Sequence, residues 1–306
     1  MPQKLVFMGT PKFSLPTLEI LLKSEHKVLA VYTQPPRKSN RGQKINPSDI
    51  EAFSKKHLLK LRTPENLNED EEFNYLKKLK PDIVVVVAYG KIIPKRFLDL
   101  PKNGFINIHA SLLPVWRGAA PIQRSIMNLD KETGISIMKI VESLDAGPVM
   151  QQEKISINEN IDALTLSKVL SNLGAKSIIS AIEKIEKGTA NFKEQNHRLA
   201  TYAKKISKKE SRICWDENAK TILAKINGLN PNPGAWFHLD GERFKIWKAE
   251  IVEKKGEPGT IIDDNLTIAC KTKSLKVLEI QKEGKSRQPI DKFILGNKIY
   301  QGTKLI

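Results

Sequence analysis

A run of five β-branched residues places the strongest constraint on the fold of this chain. Residues 83–87 are Ile-Val-Val-Val-Val, within the segment PDIVVVVAYG. A strand that is apolar on both faces is typical of the middle of a parallel sheet that helices cover on each side. Two more apolar runs, KLVFMG at 4–9 and KVLAVYT at 27–33, flank a segment with leucines at helical spacing. A strand, a helix and a strand with short links predict an α/β fold with a mostly parallel sheet.

The character of the sequence changes after Gly188, which predicts two domains. Residues 1–189 alternate between strand and helix patterns and end with a long helical segment. Residues 190–208 are polar and basic, and we expect a linker there. Residues 209–306 contain short β-rich pieces separated by turns such as DGE and KGEPG, which predict a small OB-like β-barrel. A chain of 306 residues is long enough for two domains, each with its own core.

The net charge of the chain is +17, and its estimated pI is 9.7. A positive field of this size attracts polyanions and accelerates their encounter with the protein, so nucleic acid is a candidate partner. The alternative is that the lysines only solvate the surface. From residue 209 onward the chain has 18 basic and 13 acidic residues, hence +5. The charge of that part alone therefore does not establish a nucleic-acid surface.

Several classes of protein are disfavoured by missing patterns. No apolar run approaches the roughly 20 residues of a membrane helix, and the start MPQKLVFMGTPKF does not resemble a secretory signal. The two cysteines, Cys214 and Cys270, lack metal-ligand spacing, so we expect a cytoplasmic protein without disulfides or a metal site. The glycine fingerprint G-x-G-x-x-G is absent after the first strand, which disfavours a nicotinamide dehydrogenase.

The segment FINIHASLLPVWRGAAP at 105–121 carries the strongest candidate chemistry. Asn107 and His109 share one face of a strand because side chains alternate along it, and at the end of a parallel strand that face opens onto the ligand crevice. An Asn amide can stabilise an oxyanion, and a His can transfer protons, so the pair suits acyl transfer. Asp145 follows the next predicted strand, 134–141, and we expect it on the same rim, where it could orient His109. The alternatives are a structural His and a turn-forming Asp.

These residues also carry a family resemblance. NIHASLLPVWRGAAPIQRSI followed by LDAGPV closely resembles the 10-formyltetrahydrofolate-dependent formyltransferases, and the finer match is to those that formylate methionyl-tRNA. The segments FMGTPKFSLPTLEIL, VVVVAYGKIIP, TYAKKISKKESRICW and GLNPNPGAWF extend the resemblance over nearly the whole chain. It implies a Rossmann-like domain of the formyltransferase fold followed by the OB-like barrel, in a cytoplasmic enzyme of translation initiation.

The resemblance also implies a reaction and its residues. A formyl group would pass from 10-formyltetrahydrofolate to the α-amine of methionine on initiator Met-tRNA, without a metal. Asn107 and protonated His109 would stabilise the oxyanion, and Asp145 would orient and charge His109. The turn that follows the strand would help to hold the folate co-substrate; its residues are Ser111, Leu112, Leu113 and Pro114.

The basic loop QPPRKSNRGQKINPSD, residues 34–49, is assigned to tRNA by the same resemblance. Arg41 matches the loop arginine that contacts the acceptor arm, and Lys44 adds charge, as do Arg37 and Lys38. The alternative is a solvated surface loop. The C-terminal barrel would offer a second tRNA surface, and Trp116 would either pack or line the methionine end. We expect a monomer that needs neither a protein partner nor a membrane.

Two other functions remain open at this point. A formyltransferase for a small amine, either glycinamide ribonucleotide or an amino sugar nucleotide, would use the same Asn107, His109 and Asp145. A non-catalytic RNA-binding protein could retain the fold. The basic loop, the second domain and the positive charge favour tRNA over a small amine, and the intact triplet argues against a non-catalytic role.

Overall fold

The computed structural model describes residues 1–39, 44–297 and 300–305. Its internal contacts divide the chain into two compact units, each assembled from three segments. The first unit comprises Met1–Pro121, Thr133–Ile155 and Ser167–Ala203, and the second comprises Ile122–Glu132, Ser156–Leu166 and Lys204–Ile306.

A seven-stranded sheet forms the centre of the first unit. The strands up to Ala203 are β1 (Lys4–Gly9), β2 (Lys27–Tyr32), β3 (Arg37–Ser39), β4 (Lys44–Asn46), β5 (Leu61–Arg62), β6 (Ile83–Val87), β7 (Phe105–His109), β8 (Arg117–Gly118), β9 (Glu132–Lys139), β10 (Val149–Ser156) and β11 (Tyr202–Ala203). The sheet order is β10-β9-β7-β6-β1-β2-β5. The five strands from β7 to β5 in this order pair in parallel, whereas β9 runs antiparallel to β7. The predicted mostly parallel sheet is confirmed.

Helices connect and cover these strands. They are α1 (Leu15–Lys23), α2 (Asp49–Lys56), α3 (Asp70–Leu79), α4 (Lys95–Leu98), α5 (Pro121–Met127) and α6 (Ala163–Glu186). Helix α2 shows how local sequence sets a boundary. The Ser48 side chain accepts a hydrogen bond from the Glu51 N–H at 2.9 Å, and Lys55 and Lys56 lie in the last turn, where cations stabilise the helix dipole.

The central strands are buried on both faces, as the run of β-branched residues predicts. On one face, Val6, Val84 and Val86 belong to a core cluster that includes Leu76 of α3. On the other face, Ile108 of β7 meets α6 at Gly174, where a β-carbon would lie 2.7 Å from the Ile108 side chain. Both faces of the sheet are therefore closed by close packing, and ligand access is left to the strand ends.

The second unit is built on an antiparallel sheet. Its elements are α7 (Ala219–Gly228), β12 (Ala235–Leu239), β13 (Glu242–Val252), β14 (Ile261–Asp263), β15 (Thr267–Ala269), β16 (Ser274–Lys282), β17 (Gln288–Pro289) and α8 (Ile290–Gly296). The strand order is β12-β13-β16-β15-β14, with β17 beside β16. Bulges near Trp247 bend β13 against β16, as expected for a curled sheet. The OB-like character is confirmed as a half-barrel: in the described part of the chain, β12 and β14 do not pair.

The structure also contains elements that the sequence patterns did not predict. They include β10, β12, α3, α4, α7 and α8, together with the short strands β5, β8, β11 and β17. The loop at 34–49 contains a two-stranded hairpin, because β3 and β4 pair antiparallel on either side of the undescribed residues 40–43. No helix in the described ranges is long and apolar enough to cross a membrane.

Candidate active site

Strand β7 presents Asn107 and His109 on the same face, as predicted. Ile108 between them packs against α6 on the opposite face. The two polar residues are 9% and 6% exposed, so they lie at the edge of the buried sheet rather than on the open surface. A buried polar residue at the end of a parallel strand is a candidate ligand contact, because the crevice of an α/β sheet lies there.

The imidazole of His109 lies between two hydrogen-bond acceptors. Its Nε2 atom is 2.9 Å from the backbone carbonyl oxygen of Trp116, and its Nδ1 atom is 3.6 Å from Oδ2 of Asp145. A carbonyl oxygen can only accept, so this contact assigns the proton of the neutral ring to Nε2. A doubly protonated ring would direct one N–H at the carbonyl and the other at the carboxylate, and the arrangement therefore suits an imidazolium.

Asp145 reaches His109 by a route that the sequence did not predict. Strand β9 is antiparallel, and its last residue, Lys139, pairs with Ile106 at the beginning of β7. Asp145 therefore lies beside His109 as expected, but it does not come there directly from the end of that strand. The segment after β9 instead carries Asp145 back to His109, where the N–H of Gly118 donates to Oδ2 at 2.8 Å.

The side chain of Asn107 is available for a ligand. No residue in the described ranges makes a hydrogen bond to its amide, although the residue is 9% exposed. The amide is not among the fully enclosed polar atoms that lack a partner in the described residues, so it faces an opening that water or a ligand can reach. A bound group with an oxygen acceptor would provide that partner.

The turn Ser111–Pro114 is held firmly by its own surroundings. The Ser111 hydroxyl donates to the Val115 carbonyl at 2.5 Å. Ser136 of β9 donates to the Ser111 carbonyl at 2.6 Å and accepts from the Leu113 N–H at 3.0 Å. Gln152 donates to the Leu113 carbonyl at 2.9 Å. Most polar groups of the turn are thus used internally, so its half-buried Leu112 and Pro114 side chains are what it offers to a ligand.

Two residues beside the site were missed by the sequence analysis. Arg117 is 3% exposed and donates to the side chain of Gln195, which is 7% exposed and donates to the backbone of the Asp145 turn. Arg117 could have been found, since it lies in the WRG segment that carries the resemblance. Gln195 could not, because it lies in the polar segment predicted as a linker and no pattern marks it.

The predicted tRNA contacts in the basic loop are only partly described. Arg41 lies outside the described residues. Lys44 is the first residue of β4, and its backbone pairs with that of Ser39 in β3. The backbone hairpin therefore presents this part of the loop as a β-ribbon.

The second unit carries a set of aromatic and basic residues on one side of its sheet. On the core side, Phe237 and Phe244 are buried. Directly opposed pairs of β12 and β13 share the other side, which we call the tryptophan face. It is formed by Trp236, His238, Arg243 and Lys245, together with Trp247, whose ring lies beside Lys245.

Cations lie over both tryptophan rings of this face. The guanidinium carbons of Arg212 and Arg243 are 5.9 and 6.0 Å from the Trp236 ring centre. Lys245 Nζ and the Arg287 guanidinium are 5.5 and 5.2 Å from that of Trp247. These distances are within the range of cation–π attraction.

Burial of Lys245 lowers the pKa of its ammonium group, and the neighbouring Arg243 lowers that pKa further. The face therefore combines desolvated positive charge with aromatic rings, a combination found in surfaces that bind single-stranded nucleic acid.

Comparison with known proteins places this geometry in a family. A family model described as "Formyl transferase" matches residues 3–182, and one described as "Formyl transferase, C-terminal domain" matches residues 205–298. A protein named methionyl-tRNA formyltransferase from Pelagibacter ubique is 53% identical, over 100% of this chain and 99% of its own length.

Two solved structures share the fold at low identity. HypX from Aquifex aeolicus in complex with tetrahydrofolic acid has a TM-score of 0.67 at 17% identity, over 98% of this chain and 50% of its own. An N-formyltransferase from Helicobacter canadensis in complex with folinic acid and dTDP-3-aminofucose has a TM-score of 0.68 at 18% identity, over 92% of this chain and 100% of its own. These two likenesses show the fold alone, whereas the family models and the full-length relative decide membership. The chain belongs to the formyl transferase family and, within it, to the methionyl-tRNA formyltransferases.

Proposed function

We propose that this chain transfers a formyl group from 10-formyltetrahydrofolate to the α-amine of methionine on initiator Met-tRNA. The observation that carries the proposal is the convergence of Asn107, His109 and Asp145 at the end of β7, in a chain that is 53% identical over its full length to a protein of that name. The small-amine alternative is supported by a shared fold alone, as with the Helicobacter canadensis enzyme.

His109 is proposed to act as a positioned cation and proton carrier. The Trp116 carbonyl accepts from Nε2 of its ring at 2.9 Å, and the Asp145 carboxylate lies 3.6 Å from Nδ1, within ion-pair distance. An imidazolium in this setting stabilises negative charge that develops on the formyl oxygen. The same ring can give its proton to the leaving nitrogen of the donor and recover one from the attacking amine, so that protons balance over the transfer.

Asn107 is proposed to donate a hydrogen bond to the formyl oxygen. Its amide has no partner among the described residues, and it lies on the same face of β7 as His109. Since neither donor has to reorganise during the reaction, both can act on the charge as it forms.

The folate co-substrate supplies the formyl group, and the residues present fit it. The fit rests on the unpartnered Asn107 amide and on the rigid turn Ser111–Pro114, in which Ser136 and Gln152 fix the backbone. We propose that Ser111, Leu112, Leu113 and Pro114 form one wall of the folate site, where Leu112 and Pro114 provide apolar contact. A rigid wall beside β7 would hold the formyl carbon at a fixed distance and orientation relative to Asn107 and His109.

The acceptor tRNA is proposed to bind two basic parts of the chain. One is the loop with Arg41 and Lys44, and the other is the tryptophan face within residues 209–306. Charge supports this assignment, since the chain is at +17 overall. We further propose residues 1–189 as the catalytic domain and 190–208 as its link to the tRNA-binding part, in a cytoplasmic monomer.

The test is formyl transfer from 10-formyltetrahydrofolate to charged initiator Met-tRNA, measured beside free methionine, glycinamide ribonucleotide and an amino sugar nucleotide. Transfer confined to Met-tRNA is expected. Transfer to a small amine would replace the proposed acceptor but retain the chemistry. His109→Ala serves as the control for the site, because a folded variant with near-normal rates would remove His109 from the mechanism.

A further inference from the structure

Arg117 is buried without an acidic partner. The residue is 3% exposed, and no carboxylate in the described ranges lies within ion-pair distance of its guanidinium. Burying a cation without a counterion lowers stability, and an apolar side chain of similar size would pack at lower cost. The position of Arg117 between Trp116 and Gly118, whose backbone atoms contact His109 and Asp145, suggests that its contacts serve the site.

The guanidinium fixes the orientation of one glutamine. Nε and Nη2 of Arg117 both donate to Oε1 of Gln195, at 3.1 and 2.6 Å, and Nη2 also lies 3.1 Å from Nδ1 of His197. The Gln195 amide nitrogen donates to the carbonyls of Asp145 and Gly147, at 2.9 and 2.7 Å. Because a guanidinium can only donate and a carbonyl can only accept, the two ends of the amide cannot exchange places.

These bonds act on a backbone conformation that is unfavourable by itself. Asp145 has φ of +48°, in the left-handed region that disfavours residues with a β-carbon. Gln195 binds the carbonyl of Asp145 and that of Gly147 two residues later, and so holds the turn on both sides. The carboxylate of Asp145 is then directed at the Gly118 N–H and at His109.

We propose that Gln195, locked by Arg117, is a positioning residue for Asp145 and through it for His109. The proposal rests on the proposed function, and it assigns a role in the site to a segment that the sequence predicts as a linker. The side chain of Gln195 contacts Arg117 and the backbone of the Asp145 turn. Its effect is confined to the placement of the carboxylate that orients the imidazole.

The kinetic test uses Gln195→Leu, with Gln151→Leu as the matched control, since Gln151 contacts Glu153 and Lys184 rather than the Asp145 turn. A displaced carboxylate should lower kcat about 10- to 100-fold, with KM for folate and Met-tRNA nearly unchanged. Because Gln195 acts through Asp145, Gln195→Leu combined with Asp145→Asn should be no slower than Asp145→Asn alone. Additive losses, or a normal kcat for Gln195→Leu, would overturn the proposal.

A second variant covers the case in which the Leu substitution prevents folding. Gln195→Glu retains an acceptor for Arg117 but has no N–H for the carbonyls of Asp145 and Gly147. We expect the same loss of kcat from it, and an unchanged kcat would contradict the proposal.

A spectroscopic readout separates this proposal from the choice of acceptor. The ¹⁵N chemical shifts of the His109 imidazole report its contact with Asp145 whether or not any amine is formylated. We expect Asp145→Asn and Gln195→Glu to shift them in the same direction and Gln151→Leu to leave them unchanged. If Gln195→Glu leaves them unchanged, Gln195 does not position Asp145; if they shift while Met-tRNA is not formylated, only the proposed function fails.

Discussion

At the residue scale, Asn107 allows the sharpest test of the chemistry. Asn107→Asp keeps the shape of the side chain and removes both amide N–H donors. We expect kcat to fall by roughly 10²–10³, as when one oxyanion donor is removed elsewhere, with little change in melting temperature. The control is Asn66→Asp, since Asn66 is exposed and its side chain only accepts a bond from the Asn68 N–H. Near-normal turnover by Asn107→Asp would assign the buried amide to structure.

The two cysteines differ in a way that thiol chemistry can measure. Cys214 is exposed and Cys270 is buried, and burial raises the pKa of the Cys270 thiol to about 12. We expect iodoacetamide at pH 8 to modify Cys214 alone in the folded protein, and both residues after unfolding, as counted by mass spectrometry. Equal labelling of both in the folded protein would contradict the burial of Cys270.

The raised pKa of Cys270 also makes the free energy of unfolding depend on pH. Between the ordinary thiol pKa of about 8.5 and the folded value, the unfolded chain binds fewer protons than the folded one. The stability that this thiol contributes is therefore complete below pH 8.5 and is lost as the pH rises toward 12. Cys270→Ala should flatten that part of the pH dependence of the free energy of unfolding.

At the scale of elements, the short pairing of β8 with β11 supports the site, and a glycine permits it. Gly118 has φ of +117°, and a β-carbon there would lie 2.9 Å from the Ala203 carbonyl oxygen. Gly188 also has a positive φ, +67°, but open space around it. We expect Gly188→Ala to cost about 1–2 kcal/mol from backbone strain, and Gly118→Ala about 1–3 kcal/mol more from the added clash. Chemical denaturation measures the free energy of unfolding of both variants. If the two variants lose the same amount, the backbone at Ala203 moves to accommodate the added β-carbon at position 118.

The central elements could be predicted because their sequences contain the cause of their structure. The run Ile83–Val87 is apolar on both faces, and the structure buries all of it. Strand β10 was missed because its exposed and half-buried residues, Val149–Ser156, give no apolar run. The antiparallel direction of β9 could not be predicted either. It depends on the path of the segment that connects β9 to the rest of the sheet, and the composition of the strand does not encode that path.

The candidate site was predictable to the same extent. Asn107 and His109 follow from the alternation along one strand, which is local. The contact of Asp145 with His109 depends on a turn that folds back over several residues, and the role of Gln195 on a buried hydrogen bond between residues 78 positions apart. Such contacts join distant segments, and a single sequence does not indicate them.

At the scale of the whole molecule, the catalytic triplet lies in the first unit, whereas both units carry positive charge. The first unit holds Asn107, His109 and Asp145, and its predicted folate wall is largely apolar on the exposed side. The second unit has its own core of aromatic and aliphatic residues beneath the tryptophan face. The two substrates should therefore respond differently to salt, because only the tRNA releases many counterions when it binds.

That difference gives a test of the tryptophan face. We expect the logarithm of the apparent affinity for Met-tRNA to fall linearly with the logarithm of salt concentration, while the KM for folate changes little. Arg212→Ala should lower the magnitude of that slope by about 1 if Arg212 contacts a phosphate. Trp236→Ala should weaken binding without changing the slope, since stacking releases no counterions.

The matched control for both is Lys273→Ala, an exposed lysine in the same unit that pairs with Glu253. The salt dependence of Met-tRNA affinity for Lys273→Ala should have the same slope as that of the unsubstituted chain. If Arg212→Ala and Trp236→Ala bind Met-tRNA as tightly as Lys273→Ala does, the tryptophan face is not a tRNA surface. The charge of the chain would then act on tRNA through the basic loop, and Arg41→Ala would be the variant whose slope falls.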